Sequence, residues 1–176
     1  VVAGEALERF KAVMRERLSL PRENAEATDY DIYPKQLVSP YRDRRFKVGE
    51  DMYARLGIPR EDKAARLHWL ANNYQFFGAP LALFCSVDRR MGPPQWSDLG
   101  MYLQSVMLLL REEGLDSCPQ ECWSHYPKTV AQFIGLPVER MLFCGMSIGY
   151  RNPDSAVNQL VADRAPLEEF ARFHGL

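Results

Sequence analysis

Cys118, Cys122 and His125 stand in a C-x3-C-x2-H spacing, and thiol and imidazole groups so close together are the material of a zinc site. Structural zinc needs four ligands, usually as two close pairs, and the second pair is missing, because Cys144 and His174 stand alone and far apart in sequence. Unlinked thiols in or near a core are the better reading. A cysteine nucleophile would need a base within hydrogen-bond reach, and His125 follows Cys122 by three residues. No oxyanion-hole motif or G-x-S-x-G elbow accompanies them, which argues against that chemistry. Arg42, Arg44, Arg45 and Lys47 form a basic knot beside Asp43, Glu50 and Asp51. A solvated loop face explains such a knot. So would a site for the phosphates of a nicotinamide nucleotide, since Arg pairs with such groups bidentately. Tyr30, Tyr33 and Tyr41 either line an aromatic pocket near it or pack the loop down.

The chain that must position these groups has 176 residues, enough for one domain with a sizeable core. Apolar content of 47% and charged content of 26% are ordinary for a soluble globular protein. A net charge of −1 leaves no electrostatic footprint for nucleic acid or an acidic membrane. No apolar run reaches the roughly 18 residues of a transmembrane helix. The chain opens Val1-Val2-Ala3-Gly4 without Met, as a processed product or a fragment would, and carries no targeting signal. Four cysteines do not make a disulfide framework, so reduced thiols in a cytoplasmic setting are expected.

Leu7, Phe10, Met14 and Leu18 fall on one face of a helix over residues 4–18, which Pro21 ends. The following forty or so residues carry three more prolines, two glycines and four tyrosines, and read as a long excursion with at most a helix over 50–56. Helical spacing returns over 61–77, with Gly78 as its stop. The apolar run 81–87 predicts a strand buried on both faces. Ser97 is the N-cap candidate of a helix running to Glu113, apolar nearly all round, which belongs at the centre of the molecule or in a subunit interface. Gly100 inside it suggests close approach by another backbone. A minimal strand over 115–118, a helix over 127–134 closed by Gly135, and a strand over 141–150 follow. In that last strand Gly145 and Gly149 mark bulges or close contacts. The tail from Arg151 has no strong period. The expected architecture is a single mixed α/β layer structure.

The most informative stretch is 104–123, QSVMLLLREEGLDSCPQECW. A helix, a Gly114 turn and a Pro-ended strand deliver a tight corner at Cys118-Pro119-Gln120. Such a corner lets main-chain N–H and C=O groups approach a flat heteroaromatic ligand.

Over nearly its whole length the chain resembles the FMN-dependent nitroreductase family. Asn73–Pro80 (NYQFFGAP) leads into the buried strand as the family's corresponding segment does. Asp98-x-Gly100 with Gln104 and Leu108 follows its central helix. Gly114–Gln120 (GLDSCPQ) is similar to its GLGSCP corner, and Asn158 with Arg164–Glu169 (RAPLEE) to its C-terminal N…R-x-PLEE. The resemblance implies an α+β fold, a mixed central sheet flanked by helices, within an intertwined homodimer that carries FMN at the subunit interface. It implies that Pro119, Gln120 and Glu121 face the isoalloxazine ring and that Arg164 pairs with the FMN phosphate, a role suited to a guanidinium. Many relatives carry a second basic residue where this chain has Ala162. The implied activity is ping-pong: NAD(P)H reduces FMN, which then reduces a nitroaromatic, quinone or similar small acceptor. No side chain is expected as catalytic acid or base, because orientation matters more than proton shuttling. The missing G-x-G-x-x-G does not count against a flavin, whose chemistry is its own. The sequence begins at the family's first strand, after its RRS-x-R phosphate grip and PS-x-x-N-x-QPW loop. The expectation is therefore weak FMN retention by these 176 residues. Two alternatives stand beside the enzyme: a non-enzymatic flavin-binding or interaction domain, and a zinc-stabilised module.

Overall fold

Two largely apolar runs, LALFCSVD and RMLFCGMSIG, become the central strands of one sheet. In the computed structural model, which describes residues 1–21 and 25–175, β1 is Val2–Ala3, β2 is Leu81–Asp88, β3 is Asp116–Gln120 and β4 is Arg140–Gly149. Their order is β1-β2-β4-β3, and every ladder is antiparallel. The mixed sheet implied by the resemblance is thus not what these strands form. Every residue of β2 is buried or half-buried, as expected of a strand covered on both faces.

The described residues group into two units, Val1–Lys35 with Leu67–Arg151, and Gln36–Arg66 with Asn152–Leu176. The first holds the sheet. Helix α1, Gly4–Ser19, buries Leu7, Phe10 and Met14 against one sheet face, where Ala82, Phe76, Trp123, Val130 and Leu142 complete a core rich in rings. On the other face Cys85, Cys144, Met146 and Ile148 pack with Leu103. Leu103 belongs to α4, Pro93–Glu112. That helix starts four residues before Ser97, because Pro93 and Pro94 are pre-set for a first turn and Gln95 Oε1 accepts from the Gly92 N–H (3.2 Å). Ser97 instead bonds back to the Pro93 carbonyl at 3.4 Å.

The apolar circumference of α4 is not centred in this chain. Leu99, Leu103, Met107 and Leu110 turn to the sheet, while Met101 and Leu109 are each 62% exposed. Among the described residues no atom beyond Gly100's own turns of helix lies within 4 Å of a Cβ built on it, so the close backbone approach expected there is not made by them. The strand near 115–118 runs on to Gln120 as β3. Helix α5, Pro127–Ile134, has the predicted bounds and closes on Gly135 in the left-handed region.

The second unit corrects the reading of the long excursion. Residues Tyr41–Arg55 form α2, whose polar, weakly periodic sequence buries only Tyr53. Its stability comes from charge pairing: Arg66 grips both Glu50 oxygens (2.6 and 3.0 Å) and stacks 4.1 Å over the Tyr53 ring. The expected 61–77 helix is really two pieces. These are α3, Lys63–Ala71, with Asp62 Oδ1 accepting from the Ala65 N–H, and a 3₁₀ segment, Asn72–Gly78. The described part of the aperiodic tail contains a 3₁₀ turn, Ala156–Gln159, and α6, Leu167–Phe170.

Candidate functional site

Proline in a strand lacks a ladder donor and is tolerated at sheet edges, and Pro119 lies in β3, the edge strand beside β4. Register pairs Pro119 with Met146 and Gln120 with Gly145, after which the ladder stops. The chain then turns into a 3₁₀ segment, Glu121–His125. Pro119 and Glu121 are exposed, whereas Gln120 is 2% exposed. Its amide is engaged inside the protein. Nε2 donates to the Asn73 carbonyl (2.8 Å) and to Asn73 Oδ1 (3.3 Å), and Oε1 accepts from Trp123 Nε1 (3.3 Å). The corner therefore exposes Pro119 and Glu121, while the Gln120 side chain points inward.

Trp123 is wholly buried, stacked 4.6 Å from Phe76 and edge-on to Tyr74 and Phe84. Gly145 makes room for it: a Cβ there would stand 2.3 Å from Trp123 Cδ1. At Gly149 a Cβ would stand 2.7 Å from Pro80 Cδ. Both glycines are close-contact positions, as their place in a strand suggested. Phe76 and Phe77 both adopt left-handed backbone (φ 54° and 51°), a strained choice for aromatic residues. The packing of Phe76 against Phe10, Phe84 and Trp123 holds that turn.

Burial pushes the Cys122 thiol up to about 12, which disfavours the thiolate that a nucleophile needs. Among the described residues no three His, Cys, Asp or Glu side chains converge as a metal ion would require. Tyr30 packs on Trp96 and Phe143, while Tyr33 and Tyr41 are largely exposed. Its hydroxyl donates to the Phe143 carbonyl, and burial pushes it up to about 12. The reason lies in β4. Cys85 pairs with Cys144 and Ser86 with Leu142, so Phe143 is the extra residue of a bulge.

The basic knot lies on α2, a helix rather than a loop, and acids answer much of it. Arg42 pairs with Asp43 (2.9 Å), Arg44 with Glu169, and Lys47 with Asp51 (2.6 Å) and Asp163 (2.9 Å). Arg164, in the same unit, differs. Its guanidinium donates to the Ala162 and Asp163 carbonyls (3.0 and 3.1 Å), and no carboxylate pairs with it among the described residues. The corner belongs to the first unit and Arg164 to the second.

Sequence reasoning passed over Glu26. Its buried carboxylate accepts from the Lys128 and Thr129 N–H groups at the start of α5 (2.7 and 3.2 Å) and from the Thr129 hydroxyl, and pairs with Arg17 at 3.2 Å. It supplies the cap that Tyr126 lacks. No local signal marks it, because the partner is remote in sequence. Asn73 and Trp123 were also missed as partners of Gln120. The i, i+3 spacing of Gln120 and Trp123, with a strand glycine at 145, was the available signal.

The nitroreductase family model matches residues 3–150. The chain belongs to the nitroreductase family. It is 31% identical over 175 residues to 4-nitrobenzoate reductase of Pseudomonas putida, covering 99% of this chain and 75% of that protein. It is 32% identical over 173 residues to chloronitrobenzene nitroreductase of Comamonas testosteroni, covering 98% and 76%. Among solved structures, the FMN and NADPH-dependent nitroreductase NfnB from Sphigopyxis sp. strain HMH superposes with a TM-score of 0.95 at 46% identity, over 99% of this chain and 78% of that one. The FMN-dependent NfnB of Mycobacterium smegmatis, in complex with NADPH, superposes with a TM-score of 0.91 at 29% identity, over 98% and 76%. The fold is the α+β nitroreductase fold, a central four-stranded sheet flanked by helices. No helix among the described residues is long and apolar enough to cross a membrane.

Proposed function

We propose that the chain is a nitroreductase in activity as well as family. It would hold FMN, accept reducing equivalents from NADPH or NADH, and pass them by a ping-pong route to a nitroaromatic, quinone or similar small acceptor. The observation that carries this is the corner, an edge strand ending on Gln120, whose amide is turned inward between the exposed Pro119 and Glu121, so that peptide groups rather than its side chain are left for a ligand. That donor set suits a flat ring whose edge takes N–H and C=O groups and whose face needs no charged neighbour. Arg164, with no carboxylate on its guanidinium among the described residues, suits a phosphate. The names of the relatives, which act on nitrobenzoate and chloronitrobenzene, support a nitroaromatic acceptor.

Bound FMN supplies hydride acceptance and electron delivery at its ring. This chain's own residues bind and orient. Pro119 and Glu121 flank the ring-facing main chain, Gln120 contributes its peptide group, and Arg164 neutralises the phosphate. No side chain moves a proton as acid or base. The open apolar face of α4, with Met101, Leu108 and Leu109 exposed, supports a homodimer joined there. Reduced thiols support a cytoplasmic site of action.

The test is an absorbance titration of the purified protein with FMN, followed by NADPH and NADH oxidation with 4-nitrobenzoate as acceptor. Arg164→Ala should weaken FMN binding by about 1.5–3 kcal/mol, the worth of a charge-assisted hydrogen bond. Unchanged FMN affinity in that variant would remove Arg164 from the phosphate. A wild-type protein that takes up no FMN would favour the interaction-domain reading.

A further inference from the structure

The ladder between β3 and β4 ends at the Gln120–Gly145 pair, so sheet hydrogen bonding does not fix the main chain of Glu121. Something else must. We propose that Gln120 is a positioning residue, and that the Trp123–Gln120–Asn73 chain of hydrogen bonds sets where the main-chain groups of residues 120 and 121 stand towards a bound ring. The inference rests on the reading of the corner as the flavin contact.

The geometry leaves the amide one orientation. Its oxygen takes the indole N–H, and its nitrogen gives both protons to Asn73, to O at 2.8 Å and to Oδ1 at 3.3 Å. A flipped amide would set NH₂ against an N–H donor and oxygen against a carbonyl, losing these bonds in a buried place. Both anchors are themselves fixed. Trp123 is clamped between Phe76 on its face and Gly145 at its edge. Asn73 donates through Nδ2 to the Leu70 carbonyl (3.0 Å), which ties it to the end of α3. The corner is thus braced against a ring cluster on one side and a helix end on the other. Main-chain donors aimed in advance cost no reorganisation when a ring arrives, and hydrogen bonds at a flavin ring tune its electronics.

Two variants break the chain at different links. Trp123→Phe keeps a ring on Phe76 and removes the indole N–H together with the volume of one ring, so it is compared under conditions where denaturant unfolding shows it folded. Gln120→Met keeps the length of the side chain and removes every bond. In flavin-free protein, amide exchange at Glu121 and Cys122 should accelerate about tenfold in each variant. In FMN-loaded protein the midpoint potential should shift in the same direction in both. The double variant should shift no further, because one chain is broken once. A structural role alone would lower stability without moving the potential. If FMN protects the wild-type amides at Glu121 and Cys122 while both variants keep wild-type exchange and potential, the positioning role is overturned alone. If FMN binds the wild type without changing exchange at those amides, the corner reading falls and this inference with it.

Discussion

Replacing Gly145 by alanine adds one methyl group where no space exists. The new Cβ would stand 2.3 Å from Trp123 Cδ1, 2.8 Å from Nε1 and 3.1 Å from Cγ, against the ~3.5–4.0 Å of carbon contact. Relief needs the indole to move by about 1 Å. It cannot slide freely, being wholly buried with Phe76 stacked at 4.6 Å and Tyr74 and Phe84 edge-on at 5.3 Å each. Overpacking of this kind costs about 1–3 kcal/mol. Moving the ring also breaks the Trp123–Gln120 hydrogen bond, and a buried polar group left unpaired costs roughly 1–3 kcal/mol more. The smaller entropy of the unfolded alanine chain returns at most about 1 kcal/mol. A net loss of roughly 1–5 kcal/mol follows, which at about 2–4 °C per kcal/mol lowers Tm by some 2–20 °C. Denaturant unfolding of the flavin-free protein, followed by tryptophan fluorescence, measures it. Combining the change with Trp123→Leu should cost less than the sum of the two single changes. A Gly145→Ala protein within about 0.5 kcal/mol of the parent would refute the packing argument.

Glu26→Gln keeps the shape but not the charge that caps α5 and meets Arg17, and should destabilise by about 1–3 kcal/mol in urea unfolding. Tyr30→Phe leaves the bulge carbonyl of Phe143 without its donor and should cost about 0.5–1.5 kcal/mol. Tyr30 ionises near 12 when folded and at its usual 10.0 when unfolded, so the unfolded chain loses the proton first. Its contribution is therefore complete below pH 10.0 and is lost as pH rises towards 12. The stability difference between wild type and Tyr30→Phe should shrink across that window. Gly100→Ala should raise protomer stability by about 1 kcal/mol, since the helix gains propensity and the methyl meets no other element among the described residues. A loss instead would place another chain's backbone against Gly100.

What the sequence made legible divides along physical lines. Helix α5 was readable because Pro127 and Gly135 mark both ends and its apolar stripe is strong. The central strands were readable because an unbroken apolar run admits little else at that length. Helix α2 was not readable. Its sequence YRDRRFKVGEDMYAR has scarcely any apolar stripe, and its order comes from pairings such as Glu50–Arg66 that lie outside its own span. The start of α4 was misplaced because a good capping residue, Ser97, outranked two prolines that were already helical. At the corner, position and glycine contacts were visible, but the inward amide of Gln120 was not. Its partner Asn73 is joined to it only by the fold.

The central ladder sets a folding problem. β2 and β4 are neighbours in the sheet, yet their partners are as distant along the chain as Leu81 and Ile148, with α4, β3 and α5 threaded between. A long loop must close before that ladder rewards its own formation, so pairing of β2 with β4 should come late. The α4–β3 turn and α5 draw on local contacts and can form first. Until the central pair closes, the apolar faces of both strands stand open to other copies of the chain. Refolding yield should then fall with protein concentration before any effect on the final stability is felt.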